Sequence, residues 1–455
     1  MRKFKEFIKI IALILLCALA IGACYSILSP KEDPDDPIVD TTPGEDTSVV
    51  NKAIVVYIDG QGYQAMSGKD FAFHVENQDL ELLCIKDGAV FSADGSKILM
   101  RNGKNVRPED ILFDGAQYTF GEILEGDGTE ENPYLVDDLH AYVALVTDAK
   151  AGAIPTGAIT YVELTDDIAL PAAGDTYGGL TSDELAFATA DYGTGENAAK
   201  IAWRIDGKGH TISNMTRPLF SGVGELSEGV EFRNLTLSGN VVSPARYCAM
   251  FVGYLAGDSA KVTLENCKTV GSVTSNKADK NMVIGGFVGL VSNGADVTLT
   301  NCTNDARIFD TKATTTLSLG GMIGSVNAYG EGGKEGRVSV EGCINNGVIE
   351  GTLVPGVAPS GLGGMVGTFV PSLVKPNYTL WLDVIDCVNN GAISTAEGDE
   401  LSEIGGMLGL AQVEPQYAGV VGSGSSATVT INNCSTTVDG QDMYNVVEDY
   451  IVIYA

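Results

Sequence analysis

Few residues in this chain are of the types and spacings that carry out chemistry. The three histidines, His74, His140 and His210, lie far apart, and no H-E-x-x-H places two of them on one helical face for a metal. Nine cysteines occur, none in a C-x-x-C that would frame a zinc site. Beyond Cys17 and Cys24 the cysteines are Cys84, Cys248, Cys267, Cys302, Cys343, Cys387 and Cys434, an odd number that cannot pair completely. Cys84 and Cys248 have no basic cluster nearby to activate a thiol.

Carboxylates for sugar chemistry are available at Asp166, Asp167, Asp175, Asp183, Glu184 and Asp191, with Lys208, Arg217, Arg233 and Arg246 as basic partners. Acidic side chains number 59 against 28 basic ones, so these carboxylates read as solvated loop groups. No Ser-His-Asp or Cys-His arrangement, phosphate-cradling glycine loop or calcium-binding repeat is present. On these grounds the chain reads as a non-enzyme without cofactor or metal. Four aromatics remain as candidate binding residues: Tyr329, Tyr378, Trp381 and Tyr417, set in polar, glycine-bearing stretches. Exposed there, their rings would stack on sugars; turned inward, they would anchor their loops.

The elements that must position such residues begin with an export signal. Residues 1–9 are basic, and residues 10–23 form an apolar and small-residue run of 14, short for a bilayer span and suited to a secretory signal. The run ends in Ile21-Gly22-Ala23-Cys24, which resembles the lipobox of bacterial lipoproteins and implies lipidation of Cys24. Residues 24–50 are acidic and proline-rich and read as an extended tether. The net charge of -31 excludes nucleic acid as a partner and disfavours anionic lipid.

Residues 51–124 carry short apolar runs divided by Asp59-Gly60, Asp87-Gly88 and Asp94-Gly95, the pattern of a small β module built of hairpins. Residues 125–240 open on a glycine-bearing turn and a helical pattern over 136–150, followed by strand-like runs. Residues 241–440 then repeat. A glycine-bearing block ends at Gly253, Gly289, Gly324, Gly367 and Gly409, spaced 36, 35, 43 and 42 apart. A second, alternating block ends at Cys267, Cys302, Cys343, Cys387 and Cys434, and a third short apolar stretch follows each cysteine. Such periods mark a solenoid. Three strands per repeat predict an all-β chain folded as a right-handed parallel β-helix, with a short helix capping its N-terminal end and residues 441–455 adding a closing strand.

The residue before each cysteine is Asn266, Asn301, Gly342, Asp386 or Asn433, types that tolerate a left-handed backbone. A positive φ there would reset the in–out alternation and turn the cysteine inward. The expectation is an internal column of cysteines rising about 4.8 Å per coil.

The opening segment Gly128-Thr129-Glu130-Glu131-Asn132-Pro133-Tyr134-Leu135, the stretches around Asp166-Asp167 and Asp206-Gly207-Lys208-Gly209-His210, and the paired blocks together resemble bacterial surface proteins with GLUG-type repeats on a right-handed β-helix. The resemblance covers about two-thirds of the chain. It implies an extracytoplasmic, lipid-anchored scaffold that holds the membrane through its N-terminal lipid and contacts an extracellular glycan or protein through outer strands and loops. A carbohydrate-active enzyme and a passive envelope spacer are the alternatives.

Overall fold

The computed structural model describes residues 124–454 apart from 152–153, 155–157, 178–179, 188–201, 225–227, 258–259, 277–280, 293, 311–315, 329–334, 352–359, 375, 396–403, 414–420, 438–443 and 447–450, and, upstream, the backbone of strands between residues 55 and 120. The upstream strands pair antiparallel. Val55–Ile58 meets Gly62–Ala65 on either side of Asp59-Gly60, and Leu82–Lys86 meets Ala89–Ser92 on either side of Asp87-Gly88.

Downstream of Tyr134, every ladder between named strands is parallel, and the strands line up in four sheets, the faces of a parallel β-helix. One full coil shows the path. Lys261–Glu265 lies on the first face, Lys268–Ser275 on the second, Asn281–Gly285 on the third and Val288–Ser292 on the fourth. The next coil repeats it in register: Val262 pairs with Val297, Thr269 with Asn304, Ile284 with Leu319 and Val288 with Ile323.

A coil thus has four strands where the repeat pattern predicts three. The glycine-bearing block is not one strand but a corner. The third-face strand ends on Gly285, Gly320, Gly363 or Gly405, and the fourth begins three residues later. The backbones pinch together there: a Cβ on Gly320 would stand 1.9 Å from the Ile323 carbonyl oxygen. Only glycine permits that approach.

The interior is continuous. Val262, Val297, Val338, Leu382 and Val429 form one inward column and Leu264, Leu299, Val340, Val384 and Ile431 the next, all buried. Phe251, Phe287, Met322, Met365 and Met407 fill the glycine corner, and Phe251 stacks on Phe287 at 5.3 Å. Helix α1 (Leu139–Ala151) sits against the first coil. Asp138 caps it by accepting from the Ala141 backbone N–H at 2.8 Å. Residues 141–146 are buried nearly all round, because the helix closes the open end of the core rather than lying on its side.

The turn before each cysteine has the conformation its residue types predict. Asn266, Asn301, Asp386 and Asn433 have φ of 53, 53, 53 and 51°, and Gly342 has 62°. Cys267, Cys302, Cys343 and Cys387 point inward and are buried, while Cys434 is half-buried. One coil earlier, Asn234 (φ 49°) makes the same turn and a buried Leu235 takes the cysteine's place.

A second internal column went unpredicted. Two residues beyond each cysteine stand Thr269, Asn304, Asn345, Asn389 and Thr436. Thr269 Oγ1 donates to Asn304 Oδ1 at 2.6 Å, Asn304 Nδ2 to Asn345 Oδ1 at 2.7 Å, and Asn345 Nδ2 to Asn389 Oδ1 at 2.8 Å. The second Nδ2 hydrogen of each asparagine goes to a carbonyl two residues on: Ala306, Gly347 or Gly391. These amides are fully buried, and each costs little only because every polar atom has a partner.

Candidate functional site

Outward positions on the first face form columns, since parallel strands in register stack residue on residue about 4.8 Å apart. One column runs Tyr161, Arg204, Glu231, Thr263, Thr298, Ser339 and Asp383. The next runs Glu163, Asp206, Arg233, Glu265, Thr300 and Glu341. Over the first three of these strands they line a cleft of about 400 Å³ together with Glu130, Pro133 and inward-lying backbone.

The cleft is a lattice of charges. Lys208 Nζ bridges Glu163 Oε1 at 2.9 Å and Asp206 Oδ2 at 3.2 Å. Arg204 pairs with Glu231 at 3.2 Å while its other nitrogens donate to the carbonyls of Gly229 at 3.0 Å and Glu228 at 2.8 Å, which fixes the guanidinium. Arg233 joins Glu231 and, at 3.4 Å, Glu265. Hydrogen bonds to Glu163 and then Asp206 push the Lys208 ammonium above its ordinary value. Partial burial works to raise Asp206, but the Lys208 backbone N–H, the Asn234 amide and the Lys208 ammonium outweigh it and hold the carboxyl below the usual range. Tyr161 closes one end, its hydroxyl 3.4 Å from Glu130 Oε2.

From the cleft the first column continues as a row of hydroxyls, Thr263, Thr298 and Ser339, each half-exposed. Beyond them lies a second cluster. Trp381 projects outward from Thr379–Ile385, half-buried, in register with Arg337 on the preceding strand. Arg337 Nη2 donates to Asp383 Oδ2 at 2.8 Å.

Of the four candidate aromatics, Trp381 is thus on the outer face. Tyr378 is not available: its side chain is fully buried in the core, so it is removed from the binding candidates and the loop-anchor alternative holds for it. The turn at Asn377 (φ 53°) directs it inward. Tyr329 and Tyr417 lie outside the described residues, as does Cys24.

Among the described residues the candidate carboxylates are scattered, whereas the basic candidates Lys208 and Arg233 both join the cleft lattice; Asp191 lies outside the described residues. Asp183 binds Arg217, and Asp167 accepts from the Thr211 backbone N–H at 2.8 Å while lying 3.5 Å from His210 Nδ1. Asp166 accepts from the Asp167 N–H at 2.7 Å, a turn-forming bond. The Cys248 thiol is buried and pushed up to about 12 by desolvation. Among the described residues no group of three metal-ligating side chains converges.

Sequence reading missed the cleft residues Tyr161, Glu163, Arg204, Asp206 and Glu231. Their signal was the alternation within 159–164, 202–206 and 230–233, which becomes a surface only when the three strands are stacked.

No family model matches this chain and no curated protein does. A solved structure named as a "putative immunoglobulin A1 protease from Bacteroides ovatus" is similar at 18% identity, covering 71% of this chain and 86% of that one, with a TM-score of 0.42. The reading of this chain as a non-enzyme is withdrawn: it rested on missing motifs, which exclude only the sites that use them.

Proposed function

We propose that this chain is an exported surface protein, lipid-anchored at Cys24, that binds an extended neutral glycan along the first face of its β-helix. The observation that carries the reading is the column from Tyr161 through Thr263, Thr298 and Ser339 to Asp383, in register along one axis, with Trp381 on the last strand one column aside. Six coil steps of ~4.8 Å make it about 29 Å long.

The chemistry favours a polyol. Planar rings mark the two ends, hydroxyls lie between them, and fixed carboxylates and guanidinium groups line the cleft, a set that exchanges hydrogen bonds with sugar hydroxyls in both directions. Glu130, Glu163, Asp206, Glu231 and Glu265 outnumber Arg204, Lys208 and Arg233 along the cleft, and the chain as a whole carries -31. A polyanionic polymer meets repulsion there. The acidic tether and the resemblance to GLUG-type surface proteins support the cell-surface setting.

A second reading, cleavage of the bound chain, takes its support from Glu163 and Asp206, carboxylates in register on neighbouring strands and bridged by one ammonium. Binding to immobilised neutral and acidic polysaccharides, with a parallel assay for new reducing ends, tests both. Retention on neutral polymers that is lost in Tyr161→Ala supports the proposal. A preference for polyanions, or binding indifferent to Tyr161, overturns it.

A further inference from the structure

We propose that Cys387 and Cys434 are a thiol–disulfide pair that staples the last two cysteine-bearing coils when an oxidant reaches Cys434. The cysteine column supplies the geometry. Its members occupy the same turn of successive coils, so neighbouring Cα atoms are about 4.8 Å apart, inside the range of roughly 4.4–6.8 Å that disulfides span. The Cys434 sulfur reaches the neighbouring turn: the Cys387 N–H donates to Cys434 Sγ at 3.4 Å. Both sulfurs are free, as are the other described cysteines.

Accessibility selects the pair. Cys267, Cys302, Cys343 and Cys387 have at most 1% of their surface exposed, whereas Cys434 is half-buried. Among the described cysteines an oxidant can meet only Cys434, and the column leaves Cys434 a single neighbouring thiol. The reaction balances with an external disulfide, such as oxidised glutathione or an extracytoplasmic oxidoreductase. The Cys434 thiolate attacks one sulfur of that disulfide and expels the first thiolate. The Cys387 sulfur then attacks Cys434 Sγ and expels the second. Two thiol protons pass to the two leaving thiolates, the cysteine pair is oxidised and the external disulfide is reduced.

Each thiol at present serves the fold by donating to carbonyls at the bend. Cys387 Sγ lies 3.3 Å from Val340 O and 3.2 Å from Ile385 O, and Cys434 Sγ lies 3.3 Å from Val384 O and from Asn432 O. Side chains stacked in register start farther apart at Cβ than a relaxed disulfide prefers, so the two coils must close slightly as the bond forms. That makes the bond reversible rather than permanent.

The test treats the full chain with oxidised glutathione, alkylates the remaining thiols and maps peptides by mass. The expected product is a cross-linked peptide pair joining Cys387 to Cys434, two mass units lighter than the free thiols, with Cys267, Cys302 and Cys343 alkylated only after unfolding. Cys387→Ser should leave Cys434 trapped as a stable glutathione adduct, and Cys434→Ser should block the cross-link, both with unchanged circular dichroism. A glutathione adduct on Cys434 of the unmodified chain that never resolves, a cross-link between another pair, or no oxidation overturns the proposal.

Discussion

A Cβ on Gly321 would stand 2.6 Å from Cγ of Asn345, one coil further on, and 2.2 Å from the Gly364 carbonyl oxygen. The second glycine of the Gly-Gly corner and the residue two beyond the next cysteine, an asparagine in three coils and Thr436 opposite Gly406, are therefore two halves of one device. The same contact recurs between Gly286 and Asn304, and between Gly364 and Asn389. The glycine leaves room for the buried amide, and the amide column runs down the space. Gly321→Ala overpacks this site against a backbone atom that cannot rotate away. We expect a loss of about 1–3 kcal/mol, read as a lowered urea midpoint.

Removing the amide tests the column from the other side. Asn345→Ala strands the Asn304 Nδ2 hydrogen and takes the amide donor from the Gly347 carbonyl in a dry interior, while the Asn389 oxygen keeps only the Gly391 N–H at 3.2 Å. A loss of about 2–4 kcal/mol follows from two buried groups left unmade. The neighbouring Asn346 bonds to Asp305 at 2.7 Å on the exposed side, and Asn346→Ala should change stability by no more than about 0.5 kcal/mol. Equal effects of the two substitutions would contradict the assignment of inner and outer columns.

Gly342 is the one member of its turn column that is not Asn or Asp, and it keeps the left-handed backbone of its neighbours, φ 62°. Gly342→Asn should be close to neutral, because asparagine tolerates that conformation and Asn301 Oδ1, the nearest atom, belongs to a movable side chain. Gly342→Val should lose about 1–2 kcal/mol to the steric penalty of a β-branched residue there. Parallel thermal melts of the two variants separate them.

The Lys208 bridge makes the first coils sensitive to acid. Asp206 titrates below its ordinary value when folded, so its contribution is present above an unfolded pKa of about 3.9 and is lost as pH falls through the lowered folded value. Lys208 is raised, so its contribution is present through neutral pH and is lost only above its ordinary range. Both groups are partly solvated, which limits the effect to about 1 kcal/mol. Asp206→Asn should flatten the acid limb of a plot of urea midpoint against pH below about 5. An unchanged acid limb would remove the bridge from the account.

Much of this architecture is legible in residue order. Asn266-Cys267 and Asn301-Cys302 announce a left-handed turn and an inward thiol because few residue types accept that backbone. The period announces stacking because a single coil cannot bury its own inner face. Other features stayed hidden. The glycine block looked like one strand, since nothing local in Gly320-Gly321-Met322-Ile323 shows that Gly320 will meet the backbone of Ile323. The asparagine column looked like loop polarity at Cys343-Ile344-Asn345, since a buried amide is affordable only when coils above and below complete its hydrogen bonds. Tyr378 looked exposed because its neighbours are polar, while the turn at Asn377 swings it inward. The cleft itself joins residues from three strands between 159 and 233, and no single strand contains its pattern.

The most direct test of the central claim is calorimetric titration of the full chain with a length series of neutral oligosaccharides, repeated on Tyr161→Ala and Trp381→Ala. Affinity should climb with chain length until the row from Tyr161 to Trp381 is spanned and then level off, and each variant should cut the affinity of the long ligands at least tenfold, about 1.4 kcal/mol, while Trp381→Ala leaves the shortest ligands bound at the Tyr161 cleft unchanged. An affinity independent of length, or one that survives both substitutions, would contradict it.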